Sequence, residues 1–511
     1  MIAAVTALGD FVQTAGVVVA ALLAAGVLLA RSPRARAAAM LLALVLTPVL
    51  LVANIWSSPQ LHPLRERPLL ALAAAGAGLV ILALAAFAIH RRPELLALAA
   101  AAALPFRVPI ASGGDTANLL VPLYLVIAAG VLAYAVPRLR APPSLDDEPE
   151  EHPRGLIEWL LAATVVLYAA QSAYSSGFDV ALSQVIFFYV PFALLYALLV
   201  RLDWTPRLAA RCLVVVLVLA TAFVGIGFVE YAKRELLLNP KVISSNQFES
   251  YFRVNSLFFD PNIYGRFLAT VMLALTAVLL WARRPLVAAG CAAALALLWA
   301  GLVLTLSQSS FTALLAGLAV LGALRWGTAR MAALVGLLAV AALAVVLAAP
   351  GAVGLDQSTN NATSGRSTLV RGGVDLFTAK PLTGWGAGAF KTEYRGHERS
   401  SNARASAASH TIPITVAAEQ GVVGLALYLV LLVAAIWGLL RGARASVTRA
   451  AIAAAFVALV VHTMLYAAFL EDPLAWALLA LGTALAPAAR RAAEPEPEPA
   501  PMTAEPRPAT P

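Results

Sequence analysis

The chain has 511 residues, of which 61% are hydrophobic and 12% are charged, and its formal net charge is +9. In soluble domains about a quarter of the residues are charged, so the composition excludes an ordinary soluble fold. The cations are dispersed among the breaks between apolar runs instead of gathering on one face, which argues against a nucleic-acid partner. Only Cys212 and Cys291 occur, in or beside apolar segments, so neither a disulfide framework nor a thiolate metal site is indicated.

Apolar runs recur along nearly the whole chain. A transmembrane helix needs about 20 mostly apolar residues, and most runs approach or meet that length. The first run lacks a cleavage-like site and is followed at once by a second, which favours a retained helix over a signal peptide. We therefore predict an all-α fold, a polytopic membrane helix bundle of about 12 to 15 transmembrane helices. Helix starts are predicted near residues 11, 37, 69, 95, 118, 156, 181, 210, 263, 286, 310, 331, 411, 449 and 473.

Arginine residues mark most of the alternate connections between these runs. Several intervening short connections, such as 112–117 and 471–473, carry no cation. By the positive-inside rule, the arginine-rich connections are predicted to be cytoplasmic. They contain Arg31, Arg34, Arg36, Arg91, Arg92, Arg138, Arg140, Arg154, Arg201, Arg207, Arg211, Arg283, Arg284, Arg325, Arg330, Arg441, Arg444 and Arg449.

The same topology places two long loops, residues 231–262 and 350–410, on the extracytoplasmic side, because long loops are translocated largely regardless of charge. Residues 1–140 are predicted to form N-terminal transmembrane helices, and residues 141–155 an acidic cytoplasmic linker. A second transmembrane domain is predicted for residues 156–488. The tail at 489–511, rich in proline and glutamate, is predicted to be disordered.

The first long loop ends in Asp260-Pro261-Asn262, which is a favourable helix start, since aspartate or asparagine caps free amides and proline suits the first turn. That structural role accounts for these residues as well as a functional one does. Arg253 and Arg266 flank this start near the outer membrane surface, where a guanidinium is suited to hold a phosphate oxygen. Snorkelling to lipid headgroups is the open alternative.

The second long loop contains apolar residues at helical spacing, which is compatible with an amphipathic helix in the membrane interface. They are Leu369, Val370, Val374 and Phe377. Arg366 and Arg371 near its start are either anion ligands or ordinary polar-face residues. The run 381–390, Pro-Leu-Thr-Gly-Trp-Gly-Ala-Gly-Ala-Phe, superficially resembles a dinucleotide fingerprint, but no strand precedes it, so we interpret it as a tight turn.

His410 follows this loop directly into an apolar run, after a polar, small-residue stretch at 398–409 that suggests a mobile lid. Imidazole is the usual general base for a hydroxyl, although a histidine that bonds backbone at a helix end is the alternative. Glu419 lies about 13 Å deeper by helical rise, where a carboxylate is costly unless it is functional, orients an arginine or is hydrogen-bonded within the bundle. No metal-ligand spacing occurs, so no metal or other cofactor is expected.

Together these motifs resemble the O-antigen ligase and polymerase superfamily. In chain order they are the Arg253 to Asn262 stretch, Ser-Gly-Arg at 364–366, the glycine-rich run from Pro381, and His410 followed by Glu419-Gln-Gly421. The resemblance covers about residues 160 to 470. The chain departs from the pattern at Ser307-Gln308, where many members have Ser-Arg, and at Thr411, where asparagine commonly follows the histidine.

The resemblance implies a membrane-embedded inverting glycosyltransferase that takes a glycan from an undecaprenyl pyrophosphate carrier on the outer face of the bacterial inner membrane. The acceptor would be a saccharide, lipid or protein hydroxyl. Arg253 and Arg366 would hold the pyrophosphate and His410 would serve as, or help to position, the base. Two arginines that stabilise the leaving group would make a metal unnecessary. Substrate-binding roles are predicted for Arg266, Arg371, Asp260, Asn262 and Glu419.

Two other classes of function compete with this one. A transporter or flippase for lipid-linked glycans predicts charged or broken segments at the bilayer midplane, whereas most of the ionisable residues named above cluster on the outer loops. A passive scaffold that binds another cell-envelope protein predicts that substitution of Arg253 or His410 leaves cellular glycans unchanged.

Overall fold

The computed structural model describes residues 2–55, 66–112, 115–141, 155–237, 252–348, 366–398, 411–466 and 468–486. The first part contains α1 Ile2–Leu29, α2 Pro33–Ile55, α3 Pro68–Arg91, α4 Glu94–Ala103, β1 Val108–Ser112, β2 Asp115–Leu119 and α5 Val121–Arg140. The middle contains α6 Leu156–Ser172, α7 Phe178–Gln184, α8 Val190–Leu199, α9 Pro206–Lys233, α10 Pro261–Trp281, α11 Pro285–Thr305, α12 Gln308–Trp326 and α13 Thr328–Ala348. The last part contains α14 Arg366–Ala379, α15 Phe390–Glu398, α16 Ile412–Leu440, α17 Val447–Thr463 and α18 Pro473–Ala484.

Proline and short polar side chains define many helix starts. Proline is favourable there because its missing amide hydrogen would have had no partner in the first turn. It begins α2, α3, α9, α10, α11 and α18. Side-chain oxygens of Thr205, Asp260, Ser307, Ser446 and Asp472 accept first-turn amides. The predicted starts each lie within a few residues of an observed helix start, except that α1 begins at Ile2.

Among the described residues, 10 segments are long and apolar enough to cross a membrane. Shorter apolar helices are Glu94–Ala103, Leu156–Ser172, Thr328–Ala344, Val447–Thr463 and Pro473–Ala484. These segments confirm the polytopic helical bundle predicted from composition. The antiparallel hairpin of β1 and β2 was not predicted, and it occupies one of the short cation-free connections.

The bundle has two large apolar cores. One joins α1, α2 and α5 to α6, α8, α16, α17 and α18, and it buries the rings of Tyr168, Tyr196 and Trp476. The other joins α9, α10, α11 and α12 to α17 around Phe223 and Tyr264. The N-terminal helices therefore share a core with the rest of the chain. Residues 142–154 and 487–511 lie outside the described residues, so the domain boundaries stay predictions.

Helix α16 is interrupted at Gly421, whose φ of 65° and ψ of −164° are not helical. This conformation is essentially restricted to glycine. A second irregularity is the π-helical segment Val185–Tyr189, which joins α7 to α8. The break in α16 was not predicted, and its free backbone groups are hydrogen-bonded by another segment of the same chain, as described below.

Several helix ends meet at one end of the bundle, which we call the site end. They are the C-terminal ends of α9, α11 and α17 and the N-terminal ends of α10, α12, α16 and α18. Side-chain contacts between these ends include Arg253 with Asn262 and Ser309 with His462. The arginine-rich connections lie at the opposite end, so the alternation predicted from the sequence agrees with the helix directions. The orientation of the bundle in the membrane stays a prediction.

Candidate functional site

Arg253 is held at the site end by hydrogen bonds to Thr305 and Asn262. Its Nε donates to the carbonyl oxygen of Thr305, at the end of α11, at 2.9 Å. Its Nη2 donates to Oδ1 of Asn262, in the first turn of α10, at 3.0 Å. Both of these acceptors are uncharged oxygens, and together they orient the guanidinium. Arg253 is half-buried, which leaves part of the side chain accessible to a ligand.

A group of small polar side chains continues from Asn262, and we call it the serine cluster: Asn262, Ser307, Ser309, Ser310 and His462. The hydroxyl of Ser307 donates to Asn262 Oδ1 at 2.8 Å and lies 2.8 Å from the Ser310 hydroxyl. Ser309 Oγ lies 3.2 Å from Nε2 of His462, which is fully buried. The serine cluster thus links α10, α12 and α17 behind Arg253.

Two Asp-Pro helix starts are tied to each other. Asp260 caps α10 by accepting the Asn262 amide at 2.6 Å, and its other oxygen accepts the Tyr466 hydroxyl at 2.9 Å. Asp472 caps α18, and its other oxygen forms a buried ion pair with Arg266 of α10. Asp260 at the start of α10 thus bonds Tyr466, which precedes α18, and Asp472 at the start of α18 bonds Arg266 of α10. The helix-start role of Asp260 is confirmed.

Burial changes the acidity of several groups in this region. It lowers the pKa of the Arg107 guanidinium, a shift that the nearby Asp472 carboxylate opposes. It raises the pKa of the Glu471 carboxyl to about 7, and the negative charge of Asp472 acts in the same direction. Burial, and after it Asp260, raise the pKa of Tyr466, which keeps its hydroxyl a donor. Glu471 is thus a weaker acid than an exposed carboxyl.

The glycine-rich run forms a turn, as predicted, and we call residues 381–390 the glycine turn. Gly384, Gly386 and Gly388 all have positive φ. The turn fills the break in α16: the amide of Gly386 donates to the Glu419 carbonyl, and the amide of Val422 donates to the Pro381 carbonyl, both at 2.8 Å. A Cβ at Gly384 would lie 2.3 Å from the Glu419 carbonyl oxygen, so glycine is required there.

The side chain of Glu419 belongs to this assembly. Its carboxylate accepts the amides of Gly388 at 2.9 Å and Phe390 at 3.1 Å. Of the alternatives left open by the sequence, the structure therefore shows hydrogen bonding within the bundle. A substrate-binding role for Glu419 stays a prediction, and in this arrangement both oxygens already have backbone donors.

The second loop carries the remaining predicted residues. Arg366 is the first residue of α14, and its side chain lies outside the described part of the chain, as does the whole of His410. Arg371 is exposed on α14. A helix is present at the predicted place, and its buried apolar side chains are Leu369 and Leu376, which pack with three residues of neighbouring segments. These are Phe390, Tyr394 and Ala418.

Val374, which was predicted to lie on the apolar face of this helix, is 41% exposed. Leu369, Gly372, Gly373 and Leu376 are buried at helical spacing, so they form the face of the helix that contacts the bundle. Whether the helix contacts a membrane surface stays a prediction.

The structure brings together four of the predicted residues, Arg253, Asp260, Asn262 and Arg266, around the start of α10. Sequence reasoning missed the polar residues around them, which come from other segments of the chain. These are Arg107, Ser307, Ser309, His462, Tyr466 and Asp472. Two signals could have found some of them: a second Asp-Pro pair at 472–473, and the serine-rich start of α12.

This arrangement is suited to bind an oxyanion. An oriented guanidinium, neutral hydrogen-bonding groups and desolvating apolar helices favour a phosphate ligand at helix ends. Within the described residues, no three His, Cys, Asp or Glu side chains form a group that could hold a metal ion.

Residues 293–429 match the family model described as O-antigen ligase. The matched segment runs from α11 to α16, and it includes Thr305, Ser307, the glycine turn and Glu419. No curated protein matches the chain with significant similarity. Over residues 293–429 the chain is therefore similar to O-antigen ligases, which agrees with the resemblance noted in the sequence.

Proposed function

We propose that the protein moves a glycan from an undecaprenyl pyrophosphate carrier to an acceptor hydroxyl, with inversion at the anomeric carbon and without a metal ion. It acts as a ligase or polymerase in the bacterial inner membrane, with the site end facing the periplasm or the cell exterior. The family match supports the class of function, and the arginine-rich opposite end supports this orientation.

The observation that carries the proposal is the fixed position of Arg253. Its hydrogen bonds to Thr305 and Asn262 hold the guanidinium before any ligand binds. A group held in advance needs no reorganisation during the reaction and therefore stabilises developing charge effectively. Thr305 lies within the segment that matches the family, which connects this geometry to the family's class of function.

In the proposed reaction, the acceptor oxygen attacks the anomeric carbon from the face opposite the pyrophosphate. The new carbon–oxygen bond forms as the bond to the pyrophosphate oxygen breaks, and that oxygen keeps the electron pair. The acceptor proton passes to His410, which acts as general base. The leaving pyrophosphate gains one negative charge, and Arg253 and Arg366 stabilise that charge in the transition state.

The remaining residues position this machinery. The serine cluster fixes Asn262, and Asn262 in turn fixes Arg253. Asp260 and Tyr466 hold the start of α10, from which Arg266 extends. Arg371, which is exposed on α14, contributes to binding the glycan–pyrophosphate substrate.

The test is transfer by purified full-length protein that is supplied with an undecaprenyl pyrophosphate-linked glycan and candidate acceptors. Arg253→Gln, Arg366→Gln and His410→Ala are each expected to lower the rate by about 100-fold or more, because each removes a group that acts in the transition state. Transfer by the parent protein is expected to survive a chelator.

Arg325→Gln is the matched control. Arg325 also donates to a backbone carbonyl, that of Leu280 at 3.2 Å, but it lies at the opposite end of the bundle. Its substitution is expected to leave transfer unchanged. Loss of transfer with the chelator would contradict the metal-free reaction. Movement of labelled carrier lipid across proteoliposomes, with no product from any acceptor, would replace the enzyme with a transporter.

A further inference from the structure

A pocket with a cationic lining lies close to the serine cluster. It is bounded by the segment after α4, by helices α9 and α10, and by the start of α18. Its volume is about 130 Å³. One water molecule needs only ~10–15 Å³ on this measure, so the pocket has room for a larger group. Its charged lining consists of Arg107, Arg266 and Asp472.

Arg266 lines this pocket, and one nitrogen of its guanidinium makes no hydrogen bond within the described residues. Arg266 is only 4% exposed, and its Nη2 forms an ion pair with Asp472. Its Nη1 is buried and has no hydrogen-bond partner in the described part of the chain. A buried, charged donor without an acceptor is costly, so an anionic ligand in the pocket would remove that cost.

Arg107 supplies a second guanidinium. It lies over the ring of Phe259, at 5.5 Å from the centroid. Within the described ranges it forms neither a hydrogen bond nor an ion pair, and Asp472 is the only carboxylate among the pocket residues. Among the residues that line the pocket, two guanidiniums thus face one carboxylate, so the lining itself carries a net positive charge.

The rest of the pocket is largely apolar and extends along α10. Its lining on that helix runs from Ile263 to Ala274, which is about 16 Å by helical rise. Val216, Phe267 and Ala274 are half-buried, so this part of the pocket is reached from the outer surface of the bundle. The pocket therefore has a cationic end and a hydrocarbon-lined end.

We infer that this pocket binds the phosphate of a polyprenyl phosphate through Arg107 and Arg266, with the first isoprene units lying along α10. The choice of a polyprenyl chain rests on the proposed function. Arg107 lies in the N-terminal part of the chain, outside the region that resembles the superfamily, so that part contributes directly to lipid binding. Arg107 is a substrate-binding residue in this assignment.

The test measures binding of undecaprenyl phosphate to purified full-length protein by native mass spectrometry. Arg107→Gln is expected to weaken binding at least tenfold and to raise the KM for the lipid-linked donor with kcat little changed. Arg91→Gln is the matched control, because Arg91 also stacks on a phenylalanine, Phe87 at 5.1 Å, but at the opposite end. The Arg91→Gln variant is expected to bind undecaprenyl phosphate as the parent protein does.

A second variant, Ala274→Phe, fills the apolar end and keeps both arginines. It is expected to weaken binding of undecaprenyl phosphate more than binding of inorganic phosphate, and it keeps the test decisive if Arg107→Gln does not fold. Equal retention of phosphatidylglycerol and undecaprenyl phosphate by the parent protein would overturn the polyprenyl assignment.

The failures of the two proposals are distinguishable. Arg107-dependent lipid binding without glycan transfer to any acceptor would contradict the proposed function and support the pocket. Normal transfer, normal KM and unchanged lipid binding in folded Arg107→Gln and Ala274→Phe would overturn the pocket and leave the proposed function in place.

Discussion

The glycine turn and the serine cluster are both buried polar assemblies, but they are made of different groups. The glycine turn joins backbone to backbone, and Glu419 adds a carboxylate that accepts two amides. The serine cluster joins side chains to side chains, and through Asn262 it orients Arg253. Changes to the turn should therefore affect folding, whereas changes to the cluster should affect chemistry.

The largest effect is expected for Gly421→Ala. The backbone at Gly421 has positive φ, and a Cβ there would lie 2.4 Å from the Leu382 carbonyl oxygen. Strain and overlap together should lower the free energy of unfolding by about 3 kcal/mol or more. The melting temperature of the purified protein in detergent measures this loss.

Gly438→Ala in the same helix is the control. Its added Cβ meets nothing within 4 Å, and alanine favours a helix, so the melting temperature should stay or rise. Equal destabilisation by both substitutions would show that α16 tolerates alanine poorly everywhere and that the break has no special role.

A smaller effect is expected for Glu419→Ala. It leaves the buried amides of Gly388 and Phe390 without their acceptor, which should cost about 2–4 kcal/mol. Glu419→Gln keeps one acceptor oxygen and should lose less than Glu419→Ala by the same melting measurement. If both variants melt like the parent while transfer disappears, Glu419 acts on substrate and the comparison between the two assemblies fails.

The smallest change in stability is expected in the serine cluster. Ser307→Ala removes a helix cap and should cost about 1 kcal/mol. It also frees Asn262, so the transfer rate should fall about tenfold. Ser446→Ala removes the corresponding cap of α17 at the opposite end and should match the stability loss with unchanged transfer. Equal transfer by both variants would show that the serine cluster does not position Arg253.

Most of the helices could be predicted because their signals are local. Apolar runs of membrane length and proline or aspartate at the helix start need no knowledge of the fold, as Asp260-Pro261 illustrates. The break at Gly421 is different. Its glycine lies in an apolar run and would suit an intact helix, and only the contact with Leu382 makes the unusual conformation necessary.

The candidate site was predictable only in part for the same reason. Arg253, Asp260 and Asn262 lie together in the sequence at one helix start. His462 ends an apolar run and meets Ser309 across 153 positions, so no local pattern indicates their contact. Arg107 meets the start of α10 only because α4 packs on α9. A single sequence does not state which helices are neighbours.

The glycine turn also affects how the protein is made. Gln171, at the end of α6, donates to the carbonyl of Gln420 at 3.2 Å across 249 positions. Tyr174 donates to the carbonyl of Thr383 across 209 positions. The hydrogen bonds at the end of α6 can therefore form only after the glycine turn and α16 have been synthesised. Nascent chains that stop before Thr383 lack both partners, and they are expected to be recognised by membrane chaperones or proteases.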